Sequence, residues 1–244
     1  MPKVIVLASG GLDSSLVMAK LLKEGHEVVP MFTNYNQYSY EGEAKAVRDV
    51  VGWLRELKRK TTKSHYHTNE DESDYPGFLH GVVEVKVDIG QRTAACPGRI
   101  LAFCGAAAIW AFTNNWDEGS IAIGIHKGDK DQDSCRVGYE DSLNVTLNSL
   151  TQECMSIITP LMGMTREDMA KEIKEIGIPW ELMFNCYWDA PCGFQSPNMT
   201  YRCPGCRRKA EAMQIAGEPE SAWKVPNKAP NWNREIARRD WKYA

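Results

Sequence analysis

The 244-residue chain has no uninterrupted apolar run approaching the roughly 18–20 residues that a membrane-spanning helix needs. It also lacks a dominant charge of one sign. Its 29 Lys and Arg stand against 32 Asp and Glu, a formal net charge of −3, so the chain as a whole is not a polycation built to coat nucleic acid. Internal repeats and low-complexity stretches are missing. With 43% hydrophobic and 25% charged residues, the composition excludes a collagen-like or wholly disordered polymer. Two familiar nucleotide signatures are absent as well: the Walker loop with its Gly-Lys-Ser/Thr ending and the Gly-x-Gly-x-x-Gly dinucleotide spacing.

Strand and helix patterns alternate. Lys3–Ala8 is a short branched apolar run that predicts a buried parallel strand rather than a signal peptide, because it leads directly into a glycine loop. Helix follows over Leu12–Lys23, stopped by Gly25; then come strand over Glu27–Thr33 and helix over Glu41–Leu57. Lys58–Gly77 is polar and reads as a long loop or lid. Further strands are expected at Val82–Ile89, Ser120–Ile125 and Ser156–Ile158. Helices are expected at Pro97–Phe112, Val137–Leu150 and Thr165–Ile176, the last with Thr165 as N-cap and Asp168 three residues on. Such repeated β-α units imply a three-layer α/β/α fold with a mostly parallel five-stranded sheet. Residues 1–180 are expected to form the nucleotide-binding domain, and 181–244 a helical zinc-binding region and tail.

Ser9-Gly10-Gly11-Leu12-Asp13-Ser14-Ser15 joins the first strand to the first helix. Its glycines open backbone conformations closed to other residues, and the helix points its positive end at the same place, so the loop is a phosphate cradle. Asp13 fits beside an anion if it contacts a metal, with Mg²⁺ bridging the phosphates, or orients donors. The residues assigned to the nucleotide are Ala8, the seven of the loop, and the turn behind them, Leu16, Val17 and Met18.

Of eight cysteines, four cluster as Cys186-x5-Cys192-x10-Cys203-x2-Cys206. Four thiolates suit a closed tetrahedral zinc site in a reducing, cytoplasmic compartment. Two disulfides or an iron–sulfur cluster are the alternatives. Cys96, Cys104, Cys135 and Cys154 are scattered and read as free thiols.

The heptapeptide loop resembles that of the N-type ATP pyrophosphatases, which cleave ATP between its α- and β-phosphates and adenylate a substrate oxygen. Further segments resemble one branch, the 7-cyano-7-deazaguanine synthases of queuosine and archaeosine formation. They are Asn34-Tyr35-Asn36-Gln37, Cys96-Pro97-Gly98-Arg99-Ile100, Ile123-Gly124-Ile125-His126-Lys127-Gly128-Asp129, Ser134-Cys135-Arg136, Pro160-Leu161-Met162-Gly163-Met164-Thr165-Arg166, Cys186-Tyr187 and Cys192-Gly193. Within this pattern Asn36 stands for Gly, Ile100 and His126 for Asn, and Ser134 for Asp; the second and third cysteines are also more widely spaced.

The resemblance implies an adenine-nucleotide α-hydrolase-like fold and a ligase for 7-carboxy-7-deazaguanine, ammonia and ATP. The acid is adenylated and aminated to an amide; a second adenylation of the amide oxygen leaves a nitrile. It implies catalytic roles for Asp13, Ser14, Arg99, Lys127 and Asp129, and substrate contacts from Tyr35, Gln37, Arg99 and Arg136. A homodimer is expected, without direct nucleic-acid binding and without a membrane. Arg207-Arg208-Lys209 reads as a solvated helix face, and His65-x-His67 as polar loop. The rival readings are a thiolase-type tRNA-adenylating enzyme, an enzyme that stops at the amide, and a zinc-knuckle binding module with a vestigial ATP loop.

Overall fold

In the computed structural model, residues 1–64, 71–72, 74–88, 98–127, 139–152, 154–187, 194–195, 200–201 and 203–223 are described. The main sheet contains β1 (Lys3–Leu7), β2 (Glu27–Asn34), β5 (Phe78–Leu79), β6 (Val83–Lys86), β7 (Gly119–Ala122) and β8 (Met155–Ile158). All its pairings are parallel. Both β5 and β6 pair with β2, at Glu27–Val28 and Met31–Asn34 respectively. They are two pieces of one edge, so the sheet has five positions, ordered β5/β6, β2, β1, β7, β8. Two-residue strands β3 (Lys63–Ser64) and β4 (Asp71–Glu72) form a separate ladder, as do β9 (Phe194–Gln195) and β10 (Thr200–Tyr201).

Alternation along β1 explains its uniform apolarity. Val4 and Val6 face one core with helices α1 (Leu12–Lys23), α2 (Tyr40–Thr61) and α5 (Arg166–Ile176). Ile5 faces the other, with α3 (Arg99–Thr113) and α4 (Tyr139–Thr151). A strand covered on both faces has no polar side to display. Helix α6 (Pro204–Ile215) contributes Ala212 and Met213 to the first core, so part of the expected C-terminal region packs with α1 and α5. A short α7 (Glu220–Trp223) follows.

The polar stretch from Lys58 is not loop throughout. α2 runs on to Thr61, whose hydroxyl donates to Leu57 O. At the other end Tyr75 and Leu79 are buried in the core. Gly77 sits so close to the end of α1 that a Cβ there would lie 2.8 Å from Leu22 O and 2.5 Å from His26 O. Thr165 caps α5 with a full capping box, and Gly177 ends that helix at φ 80°.

The outer edge of the sheet is sealed by a side chain. Asn144 on α4 accepts from Ile157 N–H at 2.6 Å and donates to Ile157 O at 3.3 Å, standing in for a neighbouring strand. Asn144→Leu leaves both backbone groups unpaired, so urea unfolding should show a loss of about 1–3 kcal/mol.

Candidate active site

The chain passes from β1 to β2 on one side, whereas β7 lies on β1's other side. In parallel sheets ligands bind at the carboxyl ends of the strands where the order reverses. A cavity of about 310 Å³ lies at that point.

Ala8, Ser9, Gly11, Leu12, Asp13 and Ser14 wall it from the glycine loop. Ser14 Oγ accepts from Ser9 N–H at 3.3 Å, which closes the loop on itself. Ser15 instead turns inward, donating to Gly11 O at 2.7 Å. The side chains of Leu16, Val17 and Met18 are fully buried in the core and pack beneath the loop. Gly10 also has a packing task. At φ 69° it abuts α2, and a Cβ would meet Ala46 Cβ at 2.6 Å and Val47 N at 2.7 Å. Its carbonyl accepts from Phe184 N–H at 2.8 Å.

Tyr35, Arg99, Ile100 and Phe103 line the cavity, with the Tyr35 and Phe103 rings in tilted contact at 5.3 Å between centroids. Arg99 Nη1 is buried and has no hydrogen-bond partner among the described residues. Gln37 is not in the wall. Its amide is occupied: Oε1 accepts from Tyr35 N–H, and Nε2 donates to Thr33 O and to Glu43. It shapes the turn that presents Tyr35, in which Asn36 takes φ 63°. Lys127 is exposed and outside the wall; its N–H donates to Met164 O at 3.1 Å. Asp129, Arg136, Cys192 and the 65–67 histidines lie outside the described residues.

The rear wall is the cysteine segment. Sγ atoms of Cys186, Cys203 and Cys206 lie within 4.8 Å of one another. Cys186 and Cys203 sulfurs are 3.9 Å apart, far beyond a disulfide bond and close to the roughly 3.8 Å edge of a tetrahedron with zinc–sulfur bonds of about 2.3 Å. These three thiols fit a zinc ion, with room in the ligand set for a fourth. Phe184, Asn185, Cys186 and Tyr187 all line the cavity, as does Gly205. Gly205 rests on Asn185 O so tightly that a Cβ would lie 1.7 Å away.

Sequence reading missed Arg166, Arg208 and Glu211, all in the wall. Their helical spacing from apolar residues, Arg166 to Met169, Arg208 to Ala212 and Glu211 to Ile215, was the available signal. The basic run is also corrected: only Arg207 is exposed. Lys209 donates to Met183 O at 2.7 Å, and burial pushes its ammonium pKa down to about 8.

A family model described as "Queuosine biosynthesis protein QueC" matches residues 3–217. The chain belongs to the QueC family. Among its relatives, a 7-cyano-7-deazaguanine synthase of Nitratiruptor sp. is 27% identical, with 93% of this chain and 99% of that one covered. The 7-cyano-7-deazaguanine synthase 1 of Desulfitobacterium hafniense is 26% identical over 87% of this chain and 92% of that one. A solved 4-thiouridine synthetase–RNA complex with bound ATP is 18% identical, with a TM-score of 0.49, over 88% of this chain and 50% of that one. For this QueC family member, Cys203→Ser should lower bound zinc and thermal stability together, because zinc binding contributes directly to folding free energy. Metal analysis beside a melting curve checks it.

Proposed function

We propose that the chain is a 7-cyano-7-deazaguanine synthase, an ATP-dependent carbon–nitrogen ligase acting on 7-carboxy-7-deazaguanine and ammonia. The observation that carries this reading is one cavity walled jointly by the Ser9–Ser14 loop, Arg99 and the cysteine segment. A carboxylate is a poor acyl donor. Adenylation gives it a leaving group: a carboxylate oxygen attacks the α-phosphorus of ATP and pyrophosphate departs. Ammonia then attacks the acyl carbon and AMP leaves. Adenylation of the resulting amide oxygen, followed by loss of AMP and protons, leaves the nitrile.

The chain's part is positioning and charge stabilisation. Loop N–H groups and the α1 N-terminus hold the pyrophosphate, with Arg99 beside them. Asp13 is the carboxylate suited to Mg²⁺, which supplies charge neutralisation at the phosphates. Zinc, held by the cysteines, fixes the rear wall. We further read the protein as cytoplasmic and dimeric. Exposed Leu101, Ile109 and Phe112 on α3 give two copies an apolar surface to share. The small-molecule reaction requires no nucleic-acid contact.

A second reading stops at the amide. Ile100 lines the cavity where the family pattern has Asn, removing one hydrogen-bonding group from the wall. Incubation with ATP, ammonium and 7-carboxy-7-deazaguanine should yield a nitrile by mass spectrometry. An accumulating amide establishes the second reading, and no AMP removes both. Asp13→Ala should abolish AMP formation while the circular dichroism spectrum stays unchanged.

A further inference from the structure

The cavity extends into a slot between α5 and α6. On α5 its wall residues are Arg166, Met169, Ala170 and Ile173; on α6 they are Arg208, Glu211, Ala212 and Ile215. Both sets fall at i, i+3, i+4 and i+7, the spacing of one helix face. Lys174 Nζ donates to Ala216 O, tying the two C-terminal ends together, so the helices run side by side with the same polarity. Each stripe therefore has an arginine in its first turns, at the end near the phosphate loop, and isoleucine at the far end. Ile215 remains 44% exposed, an apolar surface open toward the slot.

Three carboxylates line the whole cavity: Asp13, Glu43 and Glu211. Asp13 belongs to the loop. Glu43 accepts from Ser39 Oγ at 2.7 Å and from Gln37 Nε2 at 3.0 Å, so both its oxygens are engaged. Among the described residues, Glu211 has a 3.5 Å ion pair with Arg207 and no other partner, on a side chain 46% exposed. Such a pair is weak and readily exchanged. Glu211 is thus the acceptor pair best placed for a ligand. It stands three residues beyond Arg208, close to one helical turn of about 5.4 Å.

We propose that this slot seats the planar base, with the two-donor edge of its pyrimidine ring on the Glu211 carboxylate and its acid group toward Arg166, Arg208 and the loop. The assignment rests on the ligase reading above. Apolar Met169, Ile173 and Ile215 supply flat contact surface. A carboxylate accepts two parallel N–H bonds from adjacent ring N–H and exocyclic NH₂ groups; a base lacking the amine leaves one oxygen unpaired. The arginines neutralise the acid group and turn it toward the α-phosphorus.

The test is titration calorimetry with a non-hydrolysable ATP analogue present, using 7-carboxy-7-deazaguanine and its counterpart without the 2-amino group. Wild type should prefer the amino compound by about tenfold or more. Glu211→Gln should reduce that preference to about threefold or less and leave ATP-analogue affinity unchanged; Glu211→Ala should do the same. Undiminished preference in a folded variant overturns the assignment, as does an equal loss of nucleotide affinity, which places the adenosine in the slot. If wild type makes nitrile or amide and still ignores Glu211, only this assignment falls. If it makes neither from the carboxy base, the ligase reading falls with it.

Discussion

The site depends on two places where backbone approaches backbone without room for a side chain. Gly10 lies against α2, and Gly205 lies on Asn185 O. Between them runs the hydrogen bond from Phe184 N–H to Gly10 O. The phosphate loop is therefore gripped from both sides: α2 holds its front, and the segment leading into Cys186 holds its rear. Loop amides can favour an anion only if they stay aimed at it. Here the aim is set by residues more than 170 positions later in the chain, the separation of Gly10 and Phe184. That makes the thiol cluster part of the geometry of the site.

Charge follows the same plan. The chain is net negative, yet Arg99, Arg166 and Arg208 converge on one concavity with the amide-rich loop. Each lies in the first turns of its helix, where the helix dipole also favours an anion. Asp13, Glu43 and Glu211 line the same concavity, so the wall offers both an anion-holding side and acceptors for donors.

Much of this was legible in the sequence. Leu12–Lys23 is helical to the residue, because Gly11 and Gly25 bound an apolar stripe that only a helix can bury. The parallel sheet followed from branched apolar runs separated by helices. The pairing of Cys203 with Cys206 was plain from their spacing around a Pro-Gly turn; that Pro204 already starts α6 was not. What stayed hidden was which neighbour each face meets. Leu16, Val17 and Met18 adjoin the loop in sequence but point into the core. Gln37 looked like a ligand contact, yet its amide is spent on its own turn. Arg208 and Lys209 looked solvated because a basic run names no partner; the packing of α6 on α5 and on Met183 decides it.

The departures from the family pattern divide by physical role. Asn36 replaces Gly at φ 63°, a conformation Asn adopts at small cost, so the backbone turn survives the change. Ile100 and His126 are different, for both form cavity wall, and His126 is only 4% exposed. Replacing a short amide by a branched alkyl group removes donor and acceptor together; replacing it by imidazole keeps them but adds a titratable ring. The first change affects what the wall can hold by hydrogen bonding, the second what it can do with a proton. Backbone architecture tolerated the substitution at the turn, so whatever distinguishes this chain from its relatives in chemistry should be sought on the wall, between α3 and the end of β7.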